Sequence, residues 1–550
     1  MAESDSGQLR VADTGDYDVV IIGAGFAGMY SLHKLRGEGN SCKVFERGTG
    51  VGGVWYWNRY PGARVDVESL EYSYTFSADL EREWKWTEAY ASQPELEAYC
   101  NHVADRFDLR RDIQLETNVL ACHFQEDSGR WLVTTNKGDR VTAKYLVMAT
   151  GTLSEPKDID LPGIENFKGE LYRTSKWPRH EVSFAGKRVG EIGTGSSGIQ
   201  CIPEIAKTAE HLTVFQRTAG FSMPSNNGPS DTRRTQEWFD RRDEMHRRQR
   251  ESQLGLIMSE FGPNSAMEVS EEERRKMYEE RWAQGGIAIV GSFNDLLFNK
   301  DSNESCAAFV REKIREKVAN PQVAEKLVPT SHPIFTKRPC VDTGYYETFN
   351  RDNVELVDVR ENPIERVTEK GVIAGGKEYE FDTLVLAIGF DAMTGAMTRI
   401  DIRGRGGKSI KDVWENEGPV SFLGLAVAGF PNMFMIAGPG SPSVLGNMMG
   451  AFEHNAGWIG NMIRYMRDHQ LQTIEVDEKA QEDWTAEVER AANLTLYPQV
   501  DSWYTGANVP GKKRAFSAYL GGWANYLDTC DNSAADGYRG FRLSGVKENA

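Results

Sequence analysis

The sequence predicts an α/β fold built on two Rossmann-like dinucleotide-binding units, with a helical insertion in the second. Three observations predict it. Gly23-Ala24-Gly25-Phe26-Ala27-Gly28 follows the apolar run Val19-Val20-Ile21-Ile22 and opens a helical pattern. Gly193-Thr194-Gly195-Ser196-Ser197-Gly198 repeats that arrangement behind Val189-Gly190-Glu191-Ile192. Between residues 225 and 332 charge becomes dense and the apolar residues fall at helical spacing. Strand, glycine turn and helix are the context the dinucleotide fingerprint needs, because the turn must be tight and the backbone must approach a pyrophosphate at a helix N-terminus.

The elements follow in order. A strand over 19–22, a helix over 26–35 and a strand over 43–45 make a βαβ unit. A meander with strands at 131–134 and 145–148 leads into Ala149-Thr150-Gly151. The second unit spans 188–217, with its second strand at 212–215. Helices are expected over 237–250 and 307–318, the latter stopped by Asn320-Pro321, and Ser270-Glu271-Glu272-Glu273 reads as a capping box. Strand texture returns at 354–357 and 383–387. The last part, containing Gly438-Pro439-Gly440-Ser441-Pro442-Ser443, is expected to rejoin the first unit. A chain of 550 residues exceeds one ordinary core. The expected division is 17–151 and 389–540 for the first nucleotide domain, 152–224 and 333–388 for the second, and 225–332 for the insertion.

Composition excludes several classes. A net charge of −17 argues against nucleic-acid binding. Arg233, Arg234, Arg241, Arg242, Arg247, Arg248 and Arg250 are interleaved with Glu237, Asp240, Asp243 and Glu244, as on a solvated helix face. No run approaches the roughly 18 apolar residues of a membrane span. Residues 1–16 are polar and acidic, unlike a signal peptide. The seven cysteines show no C-x-x-C spacing, which suits a reduced, cytoplasmic protein and weighs against a flavin disulfide reductase. The histidines show no H-E-x-x-H spacing and no G-x-S-x-G elbow occurs, so no metal is expected. The oligomeric state stays open, with a monomer compatible with this reading.

The residue after the second strand of each unit separates the two sites. Glu46 ends the first, where a carboxylate accepts hydrogen bonds from a ribose diol and repels a 2′-phosphate, so FAD or NAD fits. The second ends Phe215-Gln216-Arg217-Thr218, with no acid. Arg217 is permanently charged and can grip a phosphate through two bonds, which selects NADPH.

Two longer segments carry more information. Gly52-Gly53-Val54-Trp55-Tyr56-Trp57-Asn58-Arg59-Tyr60-Pro61-Gly62-Ala63-Arg64-Val65-Asp66 resembles, at every fixed position, the N-terminal signature of Baeyer–Villiger monooxygenases. Phe167-Lys168-Gly169-Glu170-Leu171-Tyr172-Arg173-Thr174-Ser175-Lys176-Trp177-Pro178 resembles the family's F-x-G-x-x-x-H-x-x-x-W-[PD], with Arg173 where the family has histidine. The resemblance continues through Thr336-Lys337-Arg338-Pro339, the 438–443 loop and Ser502-Trp503-Tyr504-Thr505-Gly506-Ala507-Asn508, and its texture is similar to the phenylacetone and steroid branch.

The resemblance implies an enzyme that uses FAD, NADPH and O2 to convert aryl, cyclic or steroid ketones to esters or lactones through a peroxyflavin, with sulfoxidation as a side activity. Arg338 matches the catalytic arginine, the fixed positive charge an anionic adduct requires. Asp66 matches the carboxylate that holds it. Flavin contacts are implied for Gly23, Gly25, Gly28, Glu46, Val54, Trp55, Tyr56, Trp57, Arg64, Asp66, Tyr72, Val119 and Met448. NADPH contacts are implied for Thr194, Gly195, Ser196, Ser197, Gly198, Ile199, Gln200, Arg217, Thr218, Lys337, Arg338 and Trp503. Leu153, Ser443, Val444 and Leu445 match the substrate pocket. Arg173 lies on the connection between the nucleotide domains, so its permanent charge is expected to bear on coupling; an uncoupled NADPH oxidase and a flavin N- or S-monooxygenase are the rival readings. Glu191 stands in a strand where the family has an apolar residue, and it must pair, protonate or reach a rim.

Overall fold

The computed structural model describes residues 12–545. Most of the polar N-terminal segment lies outside them. Asp16–Ile22 lies inside the first sheet, parallel to Cys42–Phe45 on one side and to Arg140–Met148, the middle strand, on the other. Phe26–Gly37 is the crossover helix between the first two strands. Arg130–Thr135 and Val119–Gln125 extend the sheet as an antiparallel meander. The C-terminal part returns here: Met433–Met435 pairs with Arg140–Met148, and Asp401–Arg403 with Val119–Gln125. The 21-residue helix Met448–Asp468 packs against Phe26–Gly37 and buries Ala456, Ile459, Ile463 and Met466 among the residues of that core.

The second sheet is entirely parallel, in the order Val354–Asp358, His211–Gln216, Arg188–Ile192, Thr383–Leu386, Glu170–Arg173. Its three inner strands are buried almost throughout, as in a sheet covered on both faces, while the edge strands Val354–Asp358 and Glu170–Arg173 are partly exposed. The helical region leaves from Ser222–Pro224 and returns at Cys340–Asp342, and these two short strands pair in parallel, so its neck is hydrogen-bonded shut. Ser270 and Glu273 form the expected capping box at the start of Glu271–Gln284.

Three expectations change. The helix expected over 237–250 is two, Thr232–Asp240 and Arg242–Glu251, broken at Arg241. Asn320-Pro321 stops Lys300–Lys317 and also starts Pro321–Leu327: Asn320 accepts from the amides of Gln322 and Val323, and proline loses nothing at the first helical position. The arginine-rich face is not merely solvated. Arg242 pairs at 2.7 Å with Glu81, and Arg234 with Glu68, both carboxylates of the first domain and both nearly buried. The insertion therefore docks on both nucleotide domains.

No helix among the described residues is long and apolar enough to cross a membrane. All seven cysteines are buried and unpaired.

Candidate functional site

The two glycine loops are built alike. Gly23 and Gly193 lie at φ +103° and +113°, and a Cβ on either would strike a backbone carbonyl, of Ala149 or Ala387, at 2.5 or 2.4 Å. Only glycine meets both conditions. The helices that follow start at Gly25 and Gly195 with no side-chain cap and no acid in the first turn, so their leading amides keep free donors for an anion. Beside Gly195 nothing lies within 4 Å of the Cβ direction, whereas Gly25 faces the backbone of Gly53. The chain therefore has the bare helix ends and close backbone that two pyrophosphates need.

Around the first loop, Glu46 is buried at the end of Cys42–Phe45. Its carboxylate accepts from the amides of Ala24 at 2.8 Å and Gly48 at 2.7 Å. Burial raises its pKa, and those two amides oppose the rise. Val54–Trp57 is one short helical turn entered through Gly53 at φ +57°. Trp55 Nε1 donates to the Tyr72 hydroxyl at 3.1 Å, the Tyr56 hydroxyl accepts from the Thr49 amide at 2.9 Å, and Trp57 lies under the Arg47 guanidinium. Val119 is buried at the head of its strand, and Met448 opens its helix half-buried. The Arg64 guanidinium is engaged elsewhere, by Glu88 at 3.0 Å and the Tyr90 carbonyl at 2.9 Å.

Around the second loop, Thr194 Oγ1 donates to the Thr218 carbonyl at 3.4 Å, and Ser196 contacts Cys340 Sγ at 3.4 Å. Ser197 is half-buried, and Gly198 and Ile199 are buried in the helix base. Gln200 does something the motif did not announce. Its side chain accepts from the Tyr60 hydroxyl at 2.9 Å and the Arg64 amide at 3.4 Å, and donates to the Arg64 carbonyl at 3.1 Å. The second fingerprint helix is thus latched to the first signature.

Arg217 is exposed at the end of His211–Gln216. Burial lowers the Lys337 pKa, and the Arg217 charge lowers it further. The same two causes, in the same order, act on Lys157, a residue no motif marks. None of these three side chains has an ion-pair or hydrogen-bond partner among the described residues. Converging unpaired cations fit an anion such as a nucleotide phosphate.

Arg338 joins three distant segments. Its Nε and Nη2 donate to one oxygen of Asp66, at 3.0 and 2.7 Å, and its Nη1 donates to the Val444 carbonyl at 2.7 Å. Burial would lower its pKa; attraction to Asp66 outweighs this, and the net shift is upward. One N–H on Nη1 and one on Nη2 remain free to donate. The loop that offers Val444 is held by Ser443 at φ +47°, whose fully buried hydroxyl lies 3.8 Å from Met393 Sδ. Ser443 thus has no exposed surface, while Val444, Leu445 and Leu153 are half-exposed. Trp503 stacks on Tyr504 with centroids 4.0 Å apart.

Arg173 ends the edge strand Glu170–Arg173 and donates through Nη2 to the Lys157 carbonyl, while its buried Nε has no partner. Glu191 neither pairs nor reaches a rim: both oxygens are buried without a hydrogen bond, and burial holds its pKa well above the carboxylate range.

A model of the flavin-binding monooxygenase-like family matches residues 16–229. The chain is 41% identical, over 96% of its length and 97% of the relative's, to a cyclohexanone 1,2-monooxygenase of Acinetobacter sp. It is also 41% identical, over 96% and 98%, to a phenazine N-monooxygenase of Lysobacter antibioticus. Among solved structures, an oxidised steroid monooxygenase bound to NADP matches with TM-score 0.93 and 48% identity, covering 96% of this chain and 100% of that one.

Proposed function

Because the chain belongs to the Baeyer–Villiger monooxygenase family, we propose that it converts ketones to esters or lactones, using NADPH and O2, with FAD at the first glycine loop and NADPH at the second. When bound, the flavin supplies the reduction and oxygen-activating chemistry. The single observation that carries the ketone reading is the Arg338–Asp66 pair. A guanidinium anchored on two sides, with two donors left over, presents a fixed positive charge to an oxygen that becomes anionic as the carbonyl is attacked, and it needs no reorganisation to do so. Asp66 orients that charge and the Val444 carbonyl sets its height above the substrate loop.

Residues 17–151 and 389–540 form the flavin domain in this reading, supported by the return of Met433–Met435 to the first sheet. Glu46, the 54–57 turn, Tyr72, Val119 and Met448 hold the flavin nucleotide. Residues 152–224 and 333–388 hold NADPH, with Arg217, Thr218 and Lys337 on its 2′-phosphate. Leu153, Val444 and Leu445 line the ketone site, and the seven unpaired cysteines suit the cytoplasm.

The phenazine N-monooxygenase relative, as similar as the cyclohexanone enzyme, favours N-oxidation as a second reading. The test is a panel of aryl, cyclic and steroid ketones beside heteroaromatic amines, with products identified by mass. Ester or lactone carrying one oxygen from O2 is expected. N-oxides alone would select the second reading, and hydrogen peroxide alone would leave an NADPH oxidase.

A further inference from the structure

Lys157 and Arg173 belong to no recognised nucleotide contact, yet the fold places them together at the second site. Arg173 is the last residue of Glu170–Arg173, so it sits on the carboxyl edge of the five-stranded parallel sheet. The 193–198 loop and Arg217 lie on that same edge, where open α/β sheets bind ligands. The Lys157 backbone is held on both sides: its carbonyl accepts from Arg173, and its amide donates to Gly389 O at 3.2 Å. The adjoining Pro156–Phe390 bridge continues this contact over the end of Thr383–Leu386. With the backbone pinned, only the four-carbon side chain is free to move.

That side chain has no counter-ion among the described residues, although carboxylates are close. Asp160 and Asp391 both act on it through space, but Asp391 is taken by Lys512 at 2.7 Å. The neighbour that Lys157 feels most strongly is another cation, Arg217. A chain with 17 more acidic than basic side chains that nevertheless leaves Arg217, Lys337 and Lys157 without a carboxylate ion pair among the described residues sets Arg217 against both lysines. Binding of a dianion relieves that repulsion.

We propose that Lys157 is a third cationic contact for the 2′-phosphate of NADPH, and that Arg173 is the positioning residue that aims it. This rests on the assignment of NADPH to the second glycine loop. Arginine suits the task because its charge and its donors persist at every working pH, whereas a neutral imidazole offers one N–H.

The test is equilibrium binding to the flavin-loaded protein, by calorimetry, of NADP+, NAD+ and adenosine 2′,5′-bisphosphate, which carries the phosphate in question. Lys157→Ala is expected to weaken NADP+ and the bisphosphate about tenfold, the scale of one hydrogen bond to a charged group, and to leave NAD+ unchanged. Lys157→Arg should restore most of the loss. Arg173→Ala should weaken the same two ligands less, and should add nothing in a Lys157→Ala background. Unchanged NADP+ binding in Lys157→Ala overturns the proposal, provided Arg217→Ala still removes the preference for NADP+ over NAD+. If Arg217→Ala also leaves that preference intact, the assignment of NADPH to this loop falls instead. Should Arg173→Ala not fold, the two Lys157 variants decide the contact, and Arg173→Lys, which keeps a donor, decides the positioning role.

Discussion

Glu191 lies in the strand that delivers the second glycine loop, fully buried, with neither carboxyl oxygen bonded. Burial raises its folded pKa above the unfolded value, so the folded state holds it protonated. Its contribution to stability is greatest below the unfolded pKa and is lost as pH rises toward the folded one. Replacing it by leucine removes an unsatisfied buried acid and is expected to stabilise the protein by about 1–3 kcal/mol. Thermal unfolding of the variant and the parent checks this, and the gap between them should widen from pH 5 to pH 8. Arg338 makes the opposite case, a charge that is satisfied and retained. Arg338→Ala should lower kcat about 100- to 1,000-fold in ketone turnover, by analogy with loss of an oxyanion donor. Asp66→Ala leaves the charge but frees its direction, and a loss of up to about 100-fold is expected. Single-turnover measurements should show flavin reduction surviving in both variants. At this scale the sequence was most legible where a motif surrounded the residue, as with Asp66 and Arg338. Lys157 was invisible because a lysine between two loops carries no pattern; only its missing partners reveal it.

Among elements, the insertion is tied down by a few buried carboxylates. Glu71 accepts from the amides of Ile257 at 2.7 Å and Met258 at 3.0 Å, which fastens the insertion to the first domain. Burial pushes its pKa up to about 7, against the pull of those amides. Glu453 is likewise pushed to about 7 while accepting from Thr75 and Phe76. Both folded values exceed the unfolded one, so their contributions are present below pH 4.5 and fade as pH rises through about 7. The melting temperature should therefore fall between pH 6 and pH 8, and Glu71→Gln, which cannot ionise, should flatten part of that slope. The capping residue Asn320 yields a separate expectation: Asn320→Ala should cost about 1 kcal/mol of stability in urea unfolding. The sequence announced the Ser270 box by its spacing, yet read Asn320-Pro321 only as an ending. The same two residues serve as stop and start, and which they do depends on whether the next turn finds a core. Val323 and Ala324 do find one, packed against the residues of the second nucleotide core.

Across the whole molecule, the two nucleotide domains meet where Gln200 grips Tyr60 and both backbone groups of Arg64. The contact joins the helix that starts at the second glycine loop to the signature that ends in Asp66. Gln200→Ala removes three hydrogen bonds of modest individual worth. It is expected to raise the fraction of NADPH oxidised without product about three- to tenfold, read as hydrogen peroxide formed per ester. Unchanged coupling would make the contact a packing detail.

By itself the sequence determined the two glycine loops, the strands behind them, the acid or arginine at each strand end and the segments that carry the family likeness. All of these are local: a turn that admits only glycine, a carboxylate or guanidinium at a strand end, an apolar run of fixed length. The tertiary structure decided what depends on distance through space. It turned Gln200 into a latch and engaged Arg64 with Glu88. It also buried Ser443 and Glu191, spread the insertion over both domains and left Lys157 and Lys337 each under the charge of Arg217. Partners lying from 24 residues apart, as Arg64 and Glu88, to 140, as Tyr60 and Gln200, leave no periodicity or spacing to read, because the chain between them is free to vary while the contact is kept.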